Sequence, residues 1–170
     1  MTRVKQVGFT LVEILIVVIV LGILAAIVIP QFSNATASAR ASMLGDDLRI
    51  MRSQVMVFKA QHNSISPGYP GGDVSQPPTE AAFVDHITHA SKATCETAAP
   101  GTSGYPLGPY MREMPENPIN GKRTVQVLGD AASFPASAGN TYGWVYQPST
   151  LLFRSDATGA DQTGRPYSDY

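Results

Sequence analysis

The chain has 170 residues, 12 basic against 13 acidic, with 15 glycines, 13 prolines and a single cysteine, Cys95. The nearly balanced charge, with no basic patch interleaved with aromatics, excludes a nucleic-acid-binding surface. One cysteine excludes an internal disulfide, so an exported domain must rest on packing or a bound ion; Cys95 is either a partly buried thiol or a partner for pairing between chains.

Arg3 and Lys5 precede the first apolar residues, and no acid does. Positive charge on this short flank places the N-terminus on the cytoplasmic side of a membrane and the rest of the chain on the far side. From Ile14 to Ile29 the run is unbroken and apolar, and Phe9–Ile29 is 21 residues. As a helix it spans about 32 Å at roughly 1.5 Å per residue, against a bilayer core of about 30 Å. Glu13 interrupts the pattern. A carboxylate at membrane depth costs on the order of 2.5 kcal/mol or more, so it needs a partner. Two plainer readings compete. Ala37-Ser38-Ala39 is a small-residue site of the secretory kind, but the apolar run exceeds an h-region of about 7–15 residues and holds an acid. A passive single-span anchor explains the length but gains nothing from Glu13.

Pro30 predicts a kink, and Gly22 permits close helix contact or is simply tolerated in lipid. Beyond Pro30, Ala37, Ala41, Leu44, Leu48, Met51, Val55 and Phe58 recur at spacings of four and three, one stripe of an amphipathic helix that Met43, Ile50 and Val57 widen. The stripe packs under a globular head; a coiled-coil seam is the alternative, over only about three heptads. The helix is expected from Phe9 to about His62, roughly 80 Å, where Asn63, Ser64, Pro67 and Gly68 end it.

Residues 64–78 read as a loop. Thr79 is an N-cap, and Phe83, Ile87 and Ala90 share a face of a short helix over 79–90. Residues 91–109 are irregular, Pro115 and Pro118 rule out a long helix, and Asn120-Gly121 marks a turn. Strands are expected at Thr124–Leu128, Tyr142–Tyr146 and Leu151–Arg154, the last two joined as a hairpin through Gln147–Thr150. The fold class is α+β: a long N-terminal helix, with a membrane half and an amphipathic half, packed on a small antiparallel sheet at about 123–155. The expected organisation is a short basic segment at 1–8, a membrane helix at 9–30, an amphipathic half at 31–62 and a head at 63–170.

Gly8-Phe9-Thr10-Leu11-Val12-Glu13 followed by a long apolar run resembles the class III signal of type IV pilins and type II secretion pseudopilins. The resemblance implies that 1–8 is a leader cut off by a prepilin peptidase between Gly8 and Phe9, that Phe9 is N-methylated, that 9–30 is the polymerisation helix, and that Glu13 is an assembly carboxylate pairing with the Phe9 amine of a neighbouring subunit. It implies a single-pass inner-membrane precursor with a periplasmic head. Identical and related pilin subunits and an inner-membrane assembly platform would be its partners. The architecture, Pro109-Tyr110-Met111 with Met114-Pro115, and Gly143-Trp144-Val145-Tyr146 resemble major pseudopilins. Those proteins carry a calcium-binding C-terminal loop, which Gly159-Ala160-Asp161 matches in part. Asp156 and Asp161 are its candidate ligands, with Asp169 as a third carboxylate. Gln162 departs from the pattern, and a polar tail closing on the sheet through Tyr167 and Tyr170 is the plainer reading.

No sequence points to catalysis. His86 and His89 lie three apart beside Asp85, with Cys95 downstream, but without a His-Glu-x-x-His or Cys-x-x-Cys spacing a wet helix face explains them. No nucleophile elbow and no phosphate-binding glycine loop is present. The expected function is a filament subunit, a secretion pseudopilin before a type IV pilus pilin. An anchored or secreted binding module is the alternative from another class.

Overall fold

The computed structural model describes residues 8–170, apart from Pro30, whose side chain is not among them. Residues 1–7 of the leader expected at 1–8, with Arg3 and Lys5, and the kink expected at Pro30 lie outside the described residues. The chain divides into two compact units, Met1–Ser38 and Ala39–Tyr170. Helix α1, Leu11–Gln61, supplies residues to both.

In the first unit every side chain from Phe9 to Ile29 is exposed, and the helix is long and apolar enough to cross a membrane. The second unit has a packed core. Leu44, Leu48, Met51 and Phe58 of α1 are wholly buried and Val55 nearly so. Each such side chain contributes about 1.5–3 kcal/mol of transfer free energy. Met43, Ile50 and Val57 do not widen this stripe. They are exposed, because they sit to one side of the narrow face that the sheet covers.

α1 ends on a left-handed turn. Asn63 and Ser64 take positive φ, and the Ser64 N–H reaches back to the Lys59 carbonyl at 3.1 Å, the Schellman closure that frees asparagine to act in place of glycine. Helix α2, Glu80–Thr88, starts where Thr79 accepts from the Ala82 N–H at 3.2 Å. Phe83 and Ile87 face the core.

Helix α2 stops at Thr88, two residues short of the expected end, and Ala90 instead opens strand β1, Ala90–Ser91, which pairs antiparallel with β2, Thr97–Ala98, in the stretch expected to be irregular. At two residues each they are too short to show alternation. The larger sheet has the order β3-β4-β5, with β3 Val125–Val127, β4 Trp144–Gln147 and β5 Leu152–Ser155. β4 and β5 form the expected antiparallel hairpin. β3, however, pairs parallel to β4, Val125 opposite Trp144. The sheet is mixed, not antiparallel. Parallel neighbours need a long crossover, and residues 128–143 provide it.

At the C-terminal end of α1 lies a buried aromatic and imidazole stack. His62 lies 3.7 Å from Phe58, ring centroid to centroid, and His86 lies 4.9 Å from Phe58 on a second stack. Phe58 and Ser91 hold the two nitrogens of His62 at 2.7 and 2.9 Å. His86 Nδ1 accepts from the Gly68 N–H at 3.2 Å, and the ring also bonds the Cys95 main chain. Both nitrogens of a neutral ring are thus used. Burial, and then the proximity of His62, lower His86 to about 4. Burial also lowers His62.

The unfolded chain therefore binds a proton at His86 below about pH 6.5 that the folded chain refuses until about 4. The stability this group contributes is complete above the unfolded value and is lost as pH falls through that window, by on the order of 3 kcal/mol. Urea unfolding followed by Trp144 fluorescence should show that decline. His86→Gln, which keeps a donor and an acceptor, should flatten it; an equal slope in both proteins would contradict the assignment.

Candidate functional site

The sequence-predicted processing and assembly residues sit at the start of α1. Gly8 and Thr10 are exposed, and Phe9 is 82% exposed. Thr10 is the residue before the helix, and its carbonyl accepts from the Ile14 N–H at 3.3 Å. Glu13 lies in the first turn. Its Oε2 accepts from the Thr10 N–H and the Thr10 hydroxyl, each at 2.7 Å, while the Thr10 oxygen accepts from the Glu13 N–H at 3.2 Å. This is a reciprocal capping box.

The box satisfies two donors that a helix start leaves open, and it sets the carboxylate at the positive end of the helix dipole. It also leaves Glu13 without a cation among its described partners, since both Thr10 groups are neutral. Thr10 was within reach of sequence reasoning. Thr-x-x-Glu ahead of an apolar run is the capping-box spacing, and here it overlaps the Gly8–Glu13 stretch expected to be a processing signal.

The candidate calcium ligands are not brought together as one cluster. Asp156 is buried and fastens the crossover: one oxygen accepts from Gly139 N–H at 2.6 Å, the other from Thr141 and Tyr142 N–H groups at 2.8 Å each. Gln147 assists from β4, donating to the Gly129 and Ala132 carbonyls at 3.2 and 2.8 Å. Asp161 serves the C-terminal loop, accepting from Thr163, Arg165 and Tyr170. The Thr163 and Tyr170 hydroxyls hold its carboxyl well below the usual carboxylate range.

The histidines are separated by environment. His86 is in the core, whereas His89 is at the surface, its Nδ1 3.6 Å from an Asp85 oxygen. Among the described residues no group of three or more His, Cys, Asp or Glu side chains is placed to hold a metal ion. Cys95 is 1% exposed, and burial pushes its thiol up to about 11, so it is a core thiol out of reach of a second chain.

Comparison with known proteins follows this division. Residues 3–29 match the model of the prokaryotic N-terminal methylation motif. The chain is 28% identical to a protein of Klebsiella pneumoniae named Type II secretion system core protein G, over 114 residues that cover 67% of this chain and 69% of that one. A protein of the same name from Pseudomonas aeruginosa is 39% identical over 59 residues, 35% of this chain and 42% of its own. A Type IV major fimbrial protein FimA of Dichelobacter nodosus is 46% identical over 50 residues, 29% and 32% of the two chains. No solved structure matches the chain.

Removing the Asp156 carboxylate strands three main-chain donors. Asp156→Ala should cost about 2–4 kcal/mol in urea unfolding. A loss below about 0.5 kcal/mol, the size of an ordinary surface change, would show that the crossover does not depend on it.

Proposed function

We propose that this chain, a relative of proteins named Type II secretion system core protein G, is a structural subunit of a pilus-like filament that acts in protein export. The observation that carries the reading is the first turn of α1: one carboxylate in the otherwise apolar stretch from Leu11 to Ile29, shortly after the Gly8–Phe9 junction. A prepilin peptidase cuts between Gly8 and Phe9, and methylation of the new amine leaves it cationic. The precursor spans the inner membrane once, with its N-terminus cytoplasmic and its second unit on the far side.

The mechanism is physical. Apolar helices leave lipid only if they remain out of water, and bundling with other subunits meets that condition. Glu13 needs a cation in that dry environment, and the Phe9 amine of a neighbour supplies one. Pairing a charge on each subunit with a charge on the next makes addition specific in register, since a displaced subunit leaves two unpaired charges in a medium of low dielectric. The work is structural and needs no catalytic group.

The secretion reading is preferred to a pilus because similarity to the core protein G relative extends over 67% of the chain, whereas that to the fimbrial protein covers 29%. The subunits it meets, itself included, and the membrane platform that feeds the filament follow from the same reading.

Mass spectrometry of the mature protein should find methylated Phe9 at the N-terminus. A start near Ala39 or Arg40, or an intact Met1, would overturn the proposal. Glu13→Val should insert into the membrane normally and fall at least about tenfold in filament incorporation, the loss of one well-paired charge contact. Incorporation at the normal level would remove Glu13 from its role.

A further inference from the structure

The calcium ion implied for the C-terminal loop by resemblance does not fit the residues present. A divalent cation needs several oxygen lone pairs turned towards one point. Here the carboxylate oxygens of Asp156 and Asp161 already have N–H or O–H donors aimed at them: Gly139, Thr141 and Tyr142 on Asp156, and Thr163, Arg165 and Tyr170 on Asp161. Asp169 Oδ1 accepts from Arg154 at 3.2 Å and from the Ser168 hydroxyl at 3.1 Å.

Positive charge is supplied by the chain itself. Arg52 of α1 donates to the Phe153 carbonyl at 2.9 and 3.1 Å and to the Tyr170 main-chain oxygen at 2.6 Å. Arg154 of β5 donates to the Ser168 carbonyl at 2.7 Å. Arg165 donates to the Asp169 carbonyl and lies 4.3 Å over the Tyr170 ring. The Tyr170 hydroxyl closes the circuit on Asp161 at 2.5 Å.

We propose that this arginine, tyrosine and aspartate brace locks residues 156–170 onto the domain in place of a calcium ion, and that the domain is complete without a divalent cation. Burial, and then the positive charges of Arg154 and Arg165, lower the Arg52 value, so Arg52 lies within electrostatic reach of both. A doubly charged ion entering the loop would meet that same repulsion. Backbone closure is also independent of any ion. The Asp161 N–H donates to the Arg165 carbonyl at 2.9 Å, and the Tyr167 N–H donates to the Gly159 carbonyl at 3.1 Å.

The test uses the full chain in detergent micelles, with calcium or with a chelator, and its readouts do not involve filament assembly. Melting is followed by fluorescence of Trp144, the one tryptophan, and amide hydrogen exchange is read over 157–170. The brace predicts the same Tm and the same protection in both conditions. Tyr170→Phe and Asp161→Asn should each speed exchange in 157–170 by about tenfold, with or without calcium, while β3–β5 stay protected. A saturable rise in Tm on adding calcium, protection of 157–170 that appears only with calcium, or variants that exchange like the parent would each overturn it.

Discussion

One carboxylate sets the terms for the N-terminal half of this protein. From Leu11 to Ile29 every residue except Glu13 is apolar or glycine. In lipid or in a bundle of apolar helices an unpaired carboxylate is costly, and a passive anchor would have discarded it. The structure shows how the isolated chain manages it. Thr10 turns two donors onto Glu13 and completes the helix start in the same contact. Those donors satisfy hydrogen bonding but carry no charge. An ammonium group does both, so in the proposed filament a cationic N-terminus from a neighbour has an advantage that Thr10 cannot match. The capping box thus holds the carboxylate in a usable position without neutralising it.

The C-terminal unit solves a different problem with similar means. It has no disulfide and must fasten long irregular segments around a small sheet. Buried or half-buried ionic groups do this by bonding to main chain. Asp156 gathers three N–H groups of the crossover, and Arg52 and Arg154 gather carbonyls of β5 and the last turn. Each contact replaces water around a backbone group that would otherwise be stranded. The neutral His62 and His86 rings play the same part at the end of α1, where they serve as hydrogen-bonding core residues and not as ligands.

The features legible in the sequence are those with a strong period or a specific local cap. The stripe from Ala41 to Phe58 follows helical spacing and is buried as that spacing requires. Asn63 and Thr79 mark helix ends through side-chain and backbone preferences that act within four residues. What escaped depends on distant partners. A parallel pairing of β3 with β4 is set by how residues 128–143 cross the sheet, and no local pattern in Val125–Val127 encodes direction. Met43, Ile50 and Val57 look like part of the core face because the helical wheel gives an angle but not the width of the surface that covers it. Asp156 and Asp161 look alike in sequence. Only the fold separates a buried staple of the crossover from a loop residue at the surface.

The central claim, that Glu13 pairs with the amine of Phe9 on another subunit, is accessible to zero-length carbodiimide cross-linking of filaments assembled from a mixture of light and nitrogen-15-labelled chains. Carbodiimide joins only an amine and a carboxylate already in contact. The account predicts a Phe9–Glu13 amide in which light and heavy peptides are mixed. Such a link found only within single chains, or absent while other amine–carboxylate links form between subunits, would contradict it.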